Sequence, residues 1–393
     1  MNLYDIGNNS EHIVTIANSG DLEIDFYIYA QNFYEAAENV THYLMEEAAK
    51  NQDIAKLDLW CYSMIYLYRQ SLELLLKASI FQTITNNIDR KRVISNIRHD
   101  LKQAYEKIIE IKGLTIGDNK NAKWLMEYLS NISFIDRKSD MFRYPFGNNR
   151  ELLFKKQTSI SLVAIYDNMN KAYSIIKDIY DMGCFFEQEI KSYKPQLIIE
   201  EGYYYQTSVV SYQYLPYAFF PYYSSYEEVG RFLKSVIITQ KKTNLFIPMC
   251  YLYRNAIELG LKRLIIEDSH IDSSKAFKII RNKKHSILGL WNSIIDEVKK
   301  YVNMPDDITL DNLQQYIKAF HNFDKSSDLF RYPCDKDMSP YFIEPKKLDI
   351  ENVAFCFEEL CNFLAYVSSI LNEIKDYESD MMVDMKDCYG IIL

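Results

Sequence analysis

Glycine and proline are scarce in this sequence, 11 and 9 among 393 residues. A sandwich, a barrel or a long disordered tract would need more of both, so the shortage points to helices. Cysteine is too thinly spread to staple a fold. The seven, Cys61, Cys184, Cys250, Cys334, Cys356, Cys361 and Cys388, are odd in number and form no Cys-x-x-Cys pair. Most sit in apolar helical context and are read as reduced core thiols, with no zinc site. No Gly-rich phosphate loop, His-Glu-x-x-His helix or Gly-x-Ser-x-Gly elbow occurs, so neither metal nor cofactor is expected. The opening Met1-Asn2-Leu3-Tyr4-Asp5 lacks the basic and apolar regions of a secretory signal. No apolar run approaches the roughly 20 residues of a membrane span. A cytoplasmic protein without membrane contact is expected. Positive charge is also in the minority, 45 basic against 54 acidic residues for a net of −9. Any nucleic-acid contact must therefore use a local basic patch rather than a whole-molecule field.

Apolar and aromatic residues are plentiful: 48% of the chain is hydrophobic, with 33 Tyr and 21 Phe. That is enough for two domains of ordinary size. The sequence also repeats itself in three blocks. Tyr66-Leu67-Tyr68-Arg69, with Glu73, Leu74, Leu76 and Lys77 after it, returns as Tyr251-Leu252-Tyr253-Arg254, with Glu258, Leu259, Leu261 and Lys262. Arg98-His99-Asp100-Leu101 is matched by His285-Ser286-Ile287. Ser139-Asp140-Met141-Phe142-Arg143-Tyr144-Pro145 returns as Ser327-Asp328-Leu329-Phe330-Arg331-Tyr332-Pro333. The separations Arg69 to Arg254, His99 to His285 and Arg143 to Arg331 are 185, 186 and 188 residues. So small a drift means duplication of a whole module. Two such long units make domains rather than a solenoid.

The expected fold is all-α: two tandem, homologous up-down helical bundles in a pseudo-two-fold arrangement, with a short irregular or hairpin segment before each. Residues 1–27 form an irregular or short-strand segment, 28–182 the first bundle, 183–211 a linker, 212–376 the second bundle and 377–393 an acidic, frayed tail. Periodicity places helices near 28–48 and 225–240, 54–84 and 244–267, from Asp100 and Ser286 onward, near 119–133 and 309–321, and near 158–182 and 348–376. Asp100 and Ser286 are good N-caps, and the Pro of the third block ends the helical pattern. The stripe Val353, Phe357, Leu360, Leu364, Val367 and Leu371 faces a bundle. Tyr203 to Tyr226 holds eleven aromatics in 24 residues. It reads as a packed connector or, lacking interleaved Lys and Arg, less readily as a base-stacking platform.

Arg69, Glu73 and Lys77, like Arg254, Glu258 and Lys262, are spaced by four on one helical stripe. They form either a surface ladder of ion pairs or a buried network in which the Glu clamps Arg side chains from different helices. His99 and His285 precede helix caps, where they either bond across the loop or serve as general acid and base. Arg143 and Arg331 follow Asp140 and Asp328 by three residues. They either lock the loop by pairing with the helix Glu or present a guanidinium to phosphate. Basic residues stand upstream of each His: Arg90, Lys91, Arg92 and Arg98 in one copy, and Lys278, Arg281, Lys283 and Lys284 in the other. These are a solvated loop or helix end, or a local basic patch.

The order of a Glu73-x-x-x-Lys77 helix, His99-Asp100-Leu101 opening the next, then Arg143-Tyr144-Pro145, resembles the HEPN superfamily. These are small helical bundles common in prokaryotic toxin–antitoxin and phage-defence loci. The resemblance covers both modules, with Ser286 in place of Asp100 in the second. It implies RNA or nucleotide binding. Many members are metal-independent ribonucleases that act as dimers through an Arg followed, after four to six residues, by a His. Here no His follows Arg143 or Arg331 at that spacing, but Arg92 precedes His99, and Arg281 precedes His285 more closely. His99, His285, Arg92 and Arg281 are therefore the catalytic candidates. Arg143, Arg331, Arg69, Arg254, Lys77 and Lys262 are the binding candidates, and Glu73, Glu258, Asp140 and Asp328 are structural polar residues. The pairing would be intramolecular, since fusion gives the two copies a high effective concentration. The other function class is a non-catalytic scaffold for a partner protein, such as an antitoxin or a neighbouring effector.

Overall fold

The protein is seen in a computed structural model that describes residues 5–7, 12–147, 150–211, 218–302, 309–325 and 327–389. Among them the chain is predominantly helical and no sheet closes on itself. In the first half, α1 is Leu22–Tyr43, α2 Ile54–Thr83, α3 Asn87–Ile97, α4 Leu101–Lys112, α5 Lys120–Asp136 and α6 Leu162–Met182. In the second, α7 is Phe220–Gln240, α8 Phe246–Arg263, α9 Ser273–Lys283, α10 Ile287–Val302, α11 Thr309–Phe323 and α12 Ile350–Tyr389.

Several boundaries differ from expectation for local reasons. Helix α1 begins at Leu22 rather than 28 because Asp21 caps it, accepting from the Glu23 N–H. Helix α7 starts at Phe220, before the expected 225, and Pro221 sits in its first turn where a missing N–H costs nothing. Helices α3 and α9 lie in the basic segments ahead of each His, where periodicity places no helix. Each is capped by a side chain: Asn86 accepts from Ile88, and Asp272 from Ser274 and Lys275. Residues 377–389 continue α12 instead of fraying, for no Gly or Pro interrupts the chain from Ile350 to Tyr389. By length and composition α12 could also cross a membrane, but 56% of its apolar window is buried within the protein. Asp100 and Ser286 do act as N-caps, to Gln103 and Gly289.

Two helices form the axis of the molecule. Every residue from Trp60 to Phe81 of α2 and from Phe246 to Lys262 of α8 is buried. A helix buried on all sides cannot show an amphipathic stripe, so its polar residues must find partners inside. Around α2 lie α1, α4, α6 and α7; around α8 lie α7, α12, α10 and α1. The halves meet where Tyr66 stacks on Tyr251 at 4.9 Å and where the Ser63 N–H donates to Ser225 Oγ. The described part of the aromatic connector packs: Tyr222 and Tyr226 donate to the Met141 and Phe142 carbonyls, and Tyr223 to that of Cys361. Residues 212–217 lie outside the described set, and Tyr203 and Tyr204 are exposed. Five of the six cysteines with described side chains are buried, Cys184 is exposed, and all six are free thiols.

The segments ahead of each half do not form local hairpins. Strand β1 (Ile13–Ile16) pairs antiparallel with β4 (Lys346–Asp349), which leads into α12. Strand β2 (Thr158–Ser161), which leads into α6, pairs antiparallel with β3 (Thr207–Val210). Each half thus lends the strand that precedes it to the other half. The two repeats are not alike in every detail. Gln70 accepts from Tyr66 and donates to the Arg331 carbonyl. Its counterpart Asn255 is one methylene shorter. Both of its amide atoms, and the Tyr251 hydroxyl, lack a partner among the described residues.

Candidate functional site

The Arg–Glu–Lys stripe is a buried network. On α2, Arg69 Nη1 lies 3.1 Å from Glu73 Oε2, and Lys77 Nζ lies 2.7 Å from Oε1. Arg69 Nη2 also donates to the His99 carbonyl at 2.7 Å, and its Nε lies 3.2 Å from Asp136 Oδ2. This ties α2 to the start of α4 and the end of α5. The second half repeats the set: Arg254 to Glu258 at 2.9 Å, Lys262 to Glu258 at 2.7 Å, Arg254 to the His285 carbonyl at 2.6 Å and to Asp324 at 3.2 Å. Arg69 and Arg254 are thus engaged in holding the fold, Arg69 Nε through an ion pair with Asp136 that lacks hydrogen-bond geometry.

The expected clamp of two arginines on one Glu is not what forms. Arg143 and Arg331 do not reach Glu73 or Glu258; the tyrosines beside them do, and they cross between halves. Tyr332 of the second half donates to Glu73 Oε1 at 2.7 Å, and Tyr144 of the first donates to Glu258 Oε1 at 2.9 Å. Each tyrosine oxygen accepts from its neighbouring arginine, at 3.1 Å from Arg331 Nη2 and 2.9 Å from Arg143 Nη2. Lys77 and Lys262 sit over the rings of Tyr332 and Tyr144, 4.5 and 4.3 Å from their centroids. The same carboxylates hold the histidines. His99 Nδ1 is 3.0 Å from Glu73 Oε1, and His285 Nδ1 is 3.0 Å from Glu258 Oε1.

Burial would raise the Glu73 carboxyl, but Lys77, His99 and Arg69 together hold it well below the usual carboxylate range. Lys262, His285 and Arg254 do the same for Glu258. An ionised carboxylate only accepts, so Nδ1 carries the proton in both histidines, and Nε2 has no hydrogen-bond partner among the described residues. Glu73 favours the charged form of His99. Burial, Arg331 and Lys77 outweigh it and keep His99 below its ordinary value. At neutral pH, His99 Nε2 is then an available base.

Both histidines and both unassigned arginines face one open cleft of about 740 Å³, lined also by Arg98, Arg137 and Lys138. A second cavity of about 560 Å³ adjoins it, sharing Arg98, His99, His285 and Arg331 and adding Lys77, Lys91 and Lys336. Asp100 and Asp140 also line the first and Asp328 and Asp335 the second, and Arg137 and Lys91 are paired to Asp100 and Asp337, so cations outnumber carboxylates here on a chain of net charge −9. Arg143 and Arg331 are nearly buried, at 3% and 5% exposure. Their nearest carboxylates, Asp140 and Asp328, lie 4.0 and 3.8 Å away. Neither Nε has a partner among the described residues. Two desolvated guanidinium groups are thus left short of anions beside a cleft.

Of the catalytic candidates, His99 and His285 converge, but Arg92 and Arg281 do not join them. Arg92 is exposed and paired with Asp89 at 2.8 Å, and Arg281 lies on α9 outside both cavities. The sequence reading missed Tyr144 and Tyr332, although both stand in the most strictly repeated block. It also missed Asp136 and Asp324, whose equivalence follows from the same register. The residue before each His shares an unusual backbone, φ 54° at Arg98 and 52° at Lys284. No sequence pattern announced that.

The network makes stability pH-dependent with a definite sign. Glu73, Glu258 and His99 all have folded pKa values below their ordinary ones of 4.5 and 6.5. Through these three groups the unfolded chain binds more protons, and their contribution to stability is lost as pH falls, whereas Glu267, Asp268 and Asp136, raised by burial, act in the opposite sense. The His99 contribution is lost first, below about pH 6.5, and the carboxylate contribution follows below about pH 4.5. Urea midpoints should fall less steeply below about pH 6.5 in His99→Gln than in the wild-type protein; identical profiles would contradict the network. Comparison with known proteins finds no matching family model, no matching curated protein and no matching solved structure.

Proposed function

We propose that the chain is a tandem pair of HEPN-like modules joined about a pseudo-two-fold axis, and that their shared cleft binds RNA and cleaves it without a metal. One observation carries this reading: two buried arginines without adequate anionic partners stand in the same basic cleft as two histidines whose Nε2 atoms are free. A phosphodiester supplies the missing negative charge. Arg143 and Arg331 would bind it and stabilise the charge that builds on its oxygens. One histidine would take the proton of a 2′-hydroxyl and the other would protonate the leaving oxygen. The working units are mixed, since His99 and Glu73 act with Arg331 and Tyr332, and His285 and Glu258 with Arg143 and Tyr144. This reading goes with a cytoplasmic effector of a toxin–antitoxin or phage-defence system.

The test is incubation of the full chain with labelled total RNA in the presence of a chelator, beside His99→Ala and His285→Ala. The wild-type protein should bind and shorten RNA. Each variant should still bind but cleave about 100-fold more slowly or worse, the usual value of a general acid or base. A protein that neither binds nor cleaves RNA would point instead to a helical scaffold for a partner protein.

A further inference from the structure

We propose that Tyr332 and Tyr144 are positioning residues that act across the halves, Tyr332 setting His99 and Tyr144 setting His285. The inference rests on the reading that these histidines are the working groups of the cleft. A histidine ring can turn about its Cβ–Cγ bond, so a free Nε2 is useful only if the ring is held. Glu73 Oε1 holds it, but that oxygen takes three donors: Lys77 at 2.7 Å, the Tyr332 hydroxyl at 2.7 Å and His99 Nδ1 at 3.0 Å. The Tyr332 oxygen also lies 3.3 Å from Nδ1, so it touches both members of the Glu–His pair. It is itself fixed by Arg331 Nη2. Burial keeps the Tyr332 hydroxyl protonated, and therefore a donor. The groups facing His99 are thus Glu73, Lys77, Arg331 and Tyr332.

A tyrosine present only to fill space would need no hydroxyl here, since phenylalanine fills the same volume. Yet the hydroxyl is used, and used twice. Tyr144 reaches Glu258 at 2.9 Å and His285 Nδ1 at 3.3 Å, in mirror fashion. The second-half tyrosine therefore governs the first-half histidine, and the reverse. Removing the hydroxyl leaves the carboxylate less neutralised, so it holds the imidazolium more strongly.

The experiment titrates the imidazole nitrogens of the full chain by NMR, with no RNA present. Its failure is therefore distinct from failure of the RNA reading. Tyr332→Phe should raise the His99 midpoint by about half a unit or more and leave His285 in place. Tyr144→Phe should do the converse. A structural role alone would lower the melting temperature without this crossed pattern. An unchanged His99 in Tyr332→Phe, or a shift at His285 instead, overturns the proposal. Should Tyr332→Phe fail to fold, the unaltered protein gives the answer. With ring-labelled tyrosine, the Tyr332 signal should titrate at the His99 midpoint, and its indifference to that titration overturns the proposal equally.

Discussion

Glu73→Ala is expected to cost about 3–5 kcal/mol of folding stability, the usual result of removing one partner from a buried ion pair. The carboxylate is the only acidic group within ion-pairing distance of Lys77 among the described residues. Without it, the ammonium of Lys77 stays buried with no counter-charge, and Arg69 keeps only Asp136. His99 loses its anchor and Tyr332 its acceptor. Glu258→Ala should behave alike, with Lys262 stranded and Arg254 left to Asp324. Urea denaturation measures both. A loss under about 1 kcal/mol, typical of an exposed pair, would mean that the network is solvated.

Replacing Arg143 and Arg331 by methionine should have the opposite balance. These guanidinium groups are desolvated without being well paired, and an apolar residue of similar length avoids that cost. The melting temperature should hold or rise. RNA binding should collapse, because each charge-assisted bond to phosphate is worth about 1.5–3 kcal/mol, or roughly 10- to 100-fold in affinity. The slope of log affinity against log salt should also flatten by about 0.7 for each phosphate that is no longer neutralised. Fluorescence anisotropy at several salt concentrations gives both quantities. Variants that melt at a lower temperature yet, while folded, bind as well as the parent would show the arginines to be structural. The two experiments together separate what holds the fold from what the cleft is for.

The helices and the repeat were legible because their signals are local. Asp100 and Ser286 mark starts, and the apolar stripe of α12 marks a face. Helices α3 and α9 escaped because Asn87-Ile88-Asp89-Arg90-Lys91-Arg92 and its counterpart are polar and read as loops. Most of the site's components were also legible, since Arg69, Glu73, Lys77, His99 and Arg143 recur as a set. Their partners were not. Spacing by four says that Arg69 and Glu73 can meet; nothing local says that Tyr332 is what completes Glu73, 259 positions away. The pairing of β1 with β4 was hidden for the same reason. A four-residue strand with a partner more than 300 residues distant leaves no periodic trace of who that partner is.

The crossed tyrosines and exchanged strands bear on how the two copies can age. Duplicated domains ordinarily drift apart, because a lesion in one leaves the other intact. Here a lesion in the Tyr332 region reaches the first copy's histidine, and one near Tyr144 reaches the second's. Neither copy is a spare. Change is seen where Asp100 faces Ser286 in the register, and even Gln70, which donates across to the Arg331 carbonyl, faces Asn255. The Arg–Tyr–Pro and Arg–Glu–Lys blocks, by contrast, meet at each histidine from opposite copies and stand twice unaltered. The chain inherits as one indivisible unit what its sequence displays as two.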